Sequence, residues 1–296
     1  MGQLRFNDLL TGVAVDPHRV AIVLHTPQPP KLRALLPVMV RDRPDLFAAY
    51  QSVHSSSAEK TLARRDMMAS FVRHPSGRHT FAGLYRITAA EDLATKDIYA
   101  DPRFDELEAA YGATDTAPAK NIARIARHIR FDTDLTTFLS EYIGRLQIDH
   151  PPGRAYVRLA ENLDPEIVVV SVDDLLLPPP PRWEDMLIHT PFLRALPESW
   201  AGRLREWRGI YLIVDESDGA RYVGAAYGAE NLLSRWQAHV AGDKGITTGL
   251  AGRDPATFRF SILETLNPNL DPADVIAVEA TWKDRLHTRD FGLNEN

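Results

Sequence analysis

The sequence predicts an α/β chain of two units. Two observations point there: a strand, strand, helix, strand, helix order within fewer than 90 residues at the C-terminal end, and before it a longer stretch where short strands and helices mix irregularly. Between them stand four consecutive prolines, Pro178 to Pro181. Proline can neither continue a helix nor sit centrally in a sheet, so this run reads as a stiff, extended spacer. The boundary therefore falls near 180, giving units 1–180 and 181–296.

The first unit reads as mixed α+β. Candidate strands are Arg19–His25, Phe81–Thr88, Leu146–Ile148, Ala155–Leu159 and Ile167–Ser171; the last, IVVVS, is β-branched throughout, as a buried strand is. Helical spacing marks Leu32–Val40, Pro44–His54 and Thr133–Ile143. PAKNIARIARHIRF sets Ile122, Ile125 and Ile129 against Arg124, Arg127 and Arg130, as a basic amphipathic helix or a basic strand. Short scattered strands suit a small curved sheet or barrel better than a doubly wound one.

The second unit opens with a helical lead-in over Leu187–Trp207, where Leu193, Leu196, Trp200, Leu204 and Trp207 recur at helical spacings. Gly209–Val214 and Arg221–Ala225 form a hairpin around DESDGA, with Gly219 able to take a left-handed position. A helix follows over 229–241. The alternation of Phe258, Phe260 and Ile262 with Arg259 and Ser261 marks a strand at 258–264. Asp271 and Pro272 then read as the N-cap and first position of a helix running to Thr288.

Composition bounds the function. The chain has 296 residues, 44% of them hydrophobic and 25% charged, which excludes a wholly disordered chain. It holds no cysteine, so disulfides, thiolate nucleophiles, iron–sulfur clusters and cysteine-bearing zinc sites are excluded. No apolar run is long enough to span a membrane and no secretory leader is evident, so the cytoplasm is the expected location. The net charge of −6 argues mildly against a protein dominated by nucleic-acid contacts. Within it, residues 54–86 carry Lys60, Arg64, Arg65, Arg73, Arg78 and Arg86 against Glu59 and Asp66, a local +4 with His54, His74 and His79 interspersed. That patch is either a phosphate-facing surface or an ordinary solvated face.

Several polar residues stand where core building does not need them. Arg235 and His239, four apart in NLLSRWQAHV, share a helix face. Val275, Glu279, Trp282 and Leu286 are spaced 4, 3 and 4, which places a carboxylate inside an apolar stripe. A buried carboxylate needs a cation, a metal or several donors. Glu279 is thus a functional candidate, unless it simply pairs with Arg235 or Lys283. Tyr211 and Tyr222 lie on neighbouring strands beside glycines, in GIY and YVG, and strand glycine often marks close backbone approach.

GIY, tyrosines eleven residues apart, YVG, NLLSRWQAH and EATWKDRLHTRDFGLNEN together resemble the GIY-YIG nuclease family, over residues 209–296. Val223 stands where isoleucine is commoner. GLN at Gly292 to Asn294 is similar to the endings of standalone bacterial and restriction-type members. The resemblance implies the family's small α/β catalytic domain, β-β-α-β-α, and hydrolysis of DNA to 5′-phosphate and 3′-hydroxyl ends. It implies Mg²⁺ (or Mn²⁺) held by Glu279, Tyr211 as the group taking a proton from water, Arg235 as charge stabiliser, and Tyr222 and His239 as orienting or proton-handling groups. Lys283 and Asn294 contribute charge and a hydrogen bond. Which of Tyr211, Tyr222 and His239 is the base stays open.

The glycine-rich loop 242–253 offers Lys244 and Arg253 to a DNA backbone, with a plain surface connection as the alternative. No nucleotide-binding glycine loop is present, so no nucleotide cofactor is expected. The N-terminal unit resembles the N-terminal region of standalone bacterial GIY-YIG proteins, and FAGLYRI gives it a faint PUA-like character. It is expected to target the nuclease to a DNA sequence or a modified base. Its candidates are Arg73, Arg78 and Arg86 on the backbone and Phe71, Phe81 and Tyr85 for stacking, though strand packing explains each aromatic alone. The partner is expected to be double-stranded DNA, and cutting both strands needs two subunits, as in a homodimer, or two visits. A restriction or phage-defence role heads the list. A structure-selective nuclease of repair or recombination follows, and a decayed binding protein comes last, because all five key polar residues are present.

Overall fold

Six residues, VAIVLH, form β1 (Val20–His25), and all six are buried. An unbroken apolar run is what a strand covered on both faces requires. The computed structural model describes residues 3–27, 30–111, 126–228, 231–241 and 248–295. It divides into two units, Met1–Pro178 and Pro179–Asn296.

In the first unit β1 pairs in parallel with β2 (Met67–Arg73). A parallel pair needs a crossover, here the helices Pro30–Asp42, Pro44–Tyr50 and Ser56–Leu62. β3 (His79–Ala94) folds back antiparallel on β2 and is 16 residues long. Its far side pairs at one end with β5 (Leu146–Ile148) and at the other with β4 (Arg127–Leu135). β6 (Val157–Leu159) and β7 (Ile167–Val170) form the two ends of this seven-stranded sheet. Bulges at Ser70/Phe71 and Ile87/Ala89 bend it, as an extra residue in one strand does. β6 and β7 do not pair with one another, so the curved sheet is open and the barrel alternative falls.

One face of this sheet packs Val20, Ile22, Leu24, Phe71, Phe81 and Leu146 against Phe6 and Leu10. Phe6 and Leu10, four apart, are the buried stripe of the Phe6–Gly12 helix. Two sequence expectations change. Thr133–Ile143 is not a helix: β4 runs through Leu135, and a short turn of 3₁₀ helix at Ser140–Tyr142 follows. β7 is an edge strand rather than a buried one, with Val170 exposed. Of the PAKNIARIARHIRF segment, Arg127 to Phe131 are strand, the basic-strand alternative, while Ile122, Arg124 and Ile125 lie outside the described residues.

In the second unit β9 (Gly209–Asp215) is central, flanked by β10 (Arg221–Ala226) and β11 (Phe258–Thr265). The expected helical lead-in is divided. Leu187–His189 is a strand, β8, completing the order β10-β9-β11-β8, and only Thr190–Leu193 and Glu198–Glu206 are helical. Residues alternating along β9 serve opposite faces. Tyr211 and Ile213 pack with Leu232, Leu233 and Trp236 of the Asn231–Ala241 helix, and Ile210 and Leu212 with Val275 of the Pro272–Arg285 helix. The unit is thus a mixed α/β structure, with a helix on either side of an antiparallel sheet. Among the described residues no helix is long and apolar enough to cross a membrane.

Candidate active site

Two motif glycines have steric reasons. Gly224 lies directly across the ladder from Tyr211, and a Cβ there would stand 2.5 Å from the tyrosine Cζ and closer still to Oη. The phenol therefore lies over a position that only glycine can occupy. Gly209 faces a bulge in β11 at Ile262/Glu264, where a Cβ would run into the Glu264 carbonyl oxygen. GIY and YVG thus set where the Tyr211 ring sits.

Tyr211 is 1% exposed, and its Oη meets Nε2 of His239 at 2.7 Å. Tyr222 and His239 have ring centroids 5.7 Å apart, and the two tyrosine rings are 6.5 Å apart. The one-turn spacing read from the sequence places Arg235 beside this group: it depresses His239 and eases both phenols. Burial pushes Tyr211 well above its ordinary value of 10, with Tyr222 and Glu279 adding to the rise. Burial, with Glu279 adding, pushes Tyr222 up to about 12. Burial and then Arg235 bring His239 down to about 4, so its ring is neutral at pH 7. Tyr222 is half-buried, and among the described residues its hydroxyl has no hydrogen-bond partner.

Of the two ion-pair partners open to Glu279, the structure selects Lys283. The pair lies one turn apart at 3.0 Å, with side chains 16% and 9% exposed. The described residues give Arg235 no ion pair. Asn294 is buried, its Oδ1 accepting from the Val223 N–H at 2.9 Å and its Nδ2 donating to the Val223 carbonyl at 2.8 Å. Both amide atoms are spent on β10, so Asn294 ties the chain end to the strand that carries Tyr222.

The expected backbone contacts fare differently. Lys244 lies outside the described residues. Arg253 is paired with Asp215 at 2.6 Å and Asp218 at 2.9 Å. Burial works to raise Asp215, and hydrogen bonds from Ser217 and Arg253 more than offset it, holding the carboxylate well below its ordinary range. Arg73 and Arg78 flank the β2–β3 turn, Arg78 pairing with Asp149 at 3.1 Å. Arg86 is exposed at the far end of the same ladder, opposite Met67. At about 3.3 Å per residue the two ends are roughly 20 Å apart. Within the basic run Arg65 pairs with Glu161, while the run's two acids meet residues outside it, Asp66 with Arg19 and Glu59 with the buried His128 at 2.6 Å. Phe71 and Phe81 are core residues, packed edge-on and tilted against Phe6, and Tyr85 is buried on Phe47.

A buried polar group in the first unit escaped the sequence reading: His25, Tyr50, His54 and Tyr156. Its signal was a histidine closing an otherwise apolar strand, VAIVLH, with histidines recurring at His54 and His79.

Among the described residues no group of three His, Asp or Glu can hold a metal ion. Glu279 alone offers a hard oxygen donor beside the tyrosines. A lone carboxylate suits Mg²⁺, which keeps most of its waters, and does not suit Zn²⁺ or Ca²⁺, which need fuller protein cages.

No protein-family model and no curated protein matches the chain. Two solved structures are similar, both of the catalytic domain of I-TevI. The homing endonuclease domain is 28% identical over 29% of this chain and 96% of its own, with a TM-score of 0.25. A point mutant of the intron endonuclease domain is 23% identical over 30% of this chain and 94% of its own, also at 0.25. At those scores the likeness decides neither fold nor role.

Proposed function

We propose that the chain is a GIY-YIG DNA endonuclease that uses Mg²⁺ or Mn²⁺ and leaves 5′-phosphate and 3′-hydroxyl ends. Its N-terminal unit would direct cutting to a sequence or modified base, in a restriction or defence role. The observation that carries this reading is that Tyr211, Tyr222, Arg235, His239 and Glu279, from two strands and two helices, act electrostatically within one group, with Tyr211 hydrogen-bonded to His239.

Glu279 is the residue to hold the cation, which when bound supplies Lewis-acid polarisation of a phosphate oxygen. Arg235, with no carboxylate to satisfy it, is the group to neutralise charge on the pentacovalent phosphorus. Tyr222 has a free hydroxyl and partial exposure, so it is the one of the three candidate bases that can touch the attacking water. Deprotonated, it takes the water's proton, and Arg235 favours that phenolate. Tyr211 is buried and already bonded to His239, so the pair is assigned to positioning. The leaving 3′-oxygen takes its proton from solvent.

Incubation with supercoiled plasmid and with cytosine-modified DNA, in Mg²⁺ and then Mn²⁺, tests the reading. Nicking or linearisation with ligatable 5′-phosphate ends is expected, and cutting confined to modified DNA would identify the reader. Failure to cut any DNA in either metal would count against the assignment.

A further inference from the structure

The ring of side chains in the N-terminal unit has its own chemistry. His25 and His54 are each 4% exposed, and among the described residues the buried Nε2 of each has no hydrogen-bond partner. His25 contacts Tyr50 at 5.3 Å between centroids, and Tyr50 lies near enough to Tyr156 to be raised by it. Tyr156 stacks on His54 at 6.0 Å, inclined by 25°, and its Oη stands 3.4 Å from His54 Nδ1. His54 in turn acts electrostatically on His25, which closes the ring. Phe47 and Phe131 back the two imidazoles from outside.

Burial brings His25 to about 3, with His54 and His79 adding, and His54 to about 4, so both rings are neutral at pH 7. Each then presents an unsatisfied nitrogen edge, and buried edges of that kind are costly unless something bonds to them. The two tyrosines are half-buried, whereas the histidines are buried. Neutral imidazoles give an anion no countercharge, and no metal-binding triad of His, Asp or Glu exists among the described residues. Aromatic walls around paired donor and acceptor edges fit a neutral, planar nitrogen heterocycle. Arg73 follows Val72, the register partner of His25, and the described residues give it no ion pair. A phosphate linked to that heterocycle has a cation at this end of the sheet.

We propose that His25, Tyr50, His54 and Tyr156 form a pocket for a nucleobase extruded from DNA. The proposal rests on the reading that the chain acts on DNA and adds which part of the substrate this unit holds. A free nucleoside shares the chemistry, so the test separates the two sources.

The full chain, labelled at its histidine nitrogens, is titrated with deoxynucleosides to about 10 mM, and with a duplex carrying a base opposite an abasic site, where extrusion is cheapest. The expected result is saturable movement of the His25 and His54 resonances, with the abasic duplex binding at least about 10-fold tighter than a fully paired one. Tyr156→Phe, which removes only a hydroxyl, should weaken binding several-fold; His54→Phe, which keeps an aromatic ring, should lose the His25 response. If the latter fails to fold, Tyr156→Phe still decides. No movement with either probe overturns the proposal, as does equal movement with inorganic phosphate. Response to nucleosides without preference for the abasic duplex also overturns it, in favour of a free-nucleoside site. Plasmid cleavage by the same preparation reads the nuclease separately: cleavage without resonance shifts sinks this pocket alone, and shifts without cleavage sink the nuclease alone.

Discussion

Gly224 shows how a single missing Cβ supports the candidate site. Gly224→Ala would drive a methyl into the Tyr211 phenol. Overpacking of that kind costs about 1–3 kcal/mol, and displacing a ring that positions the catalytic groups costs about 100-fold in rate. Thermal denaturation and single-turnover cleavage on the same sample should show both. Tyr222 and Tyr211 should separate by mutation: Tyr222→Phe is expected to lose about 100-fold or more in cleavage with little change in stability, and Tyr211→Phe less in cleavage. With a Tyr222 phenolate as the proposed base, held in the free protein at about 12, the wild-type rate should climb about tenfold per pH unit through neutrality. That slope should vanish in Tyr222→Phe. The glycines beside these tyrosines were legible in the sequence, because strand glycine is unusual enough to demand a reason. The role of Arg253 was not, since Asp215 stands 38 residues away and only the folded hairpin brings them together.

At the scale of elements, local pattern misled wherever long-range pairing prevailed. Leu135, Phe138, Leu139 and Tyr142 follow a helical spacing, yet Leu135 and Phe138 are exposed and Thr133 to Leu135 pair with β3 instead. Leu139 is buried only by turning left-handed, at φ 58°. Likewise β8 is three residues long and is defined only by its partner β11. Strands and helices of 209–296 were legible because each carries its own periodicity and punctuation, Gly219 in the turn at φ 79° and Pro272 at a helix start. The chain end is fastened to β10 by the Asn294 side chain and by the Leu293 N–H, which donates to the Arg221 carbonyl at 2.8 Å. Asn294→Ala removes both bonds to Val223 and should cost about 2–4 kcal/mol, read as a fall in melting temperature and faster exchange at the Val223 amide.

Across the whole molecule, buried histidines set a dependence on pH. In the first unit His25 titrates at about 3 and His54 and His79 at about 4, against 6.5 when unfolded, burial being the main cause of each. The second unit has one such group, His239, at about 4. A lowered histidine value means that the unfolded chain binds the proton first. Stability is therefore complete above about pH 6.5 and is lost as pH falls toward about 4. Three groups give a slope of up to about 4 kcal/mol per pH unit, against about 1.4 for one. All five tryptophans lie beyond residue 182, so their fluorescence reports the second unit alone. On acidification, ellipticity should fall before tryptophan emission changes, and coincident transitions would contradict this distribution of buried histidines.

The central claim is that Glu279 and the residues around it cut DNA. The most direct measurement compares wild type with Glu279→Gln on supercoiled plasmid in Mg²⁺, with DNA affinity determined in parallel. Glutamine keeps the shape and removes the charge that a cation needs, so cleavage should drop by about a thousandfold while affinity stays within about threefold. Equal cleavage by the two proteins would contradict the account.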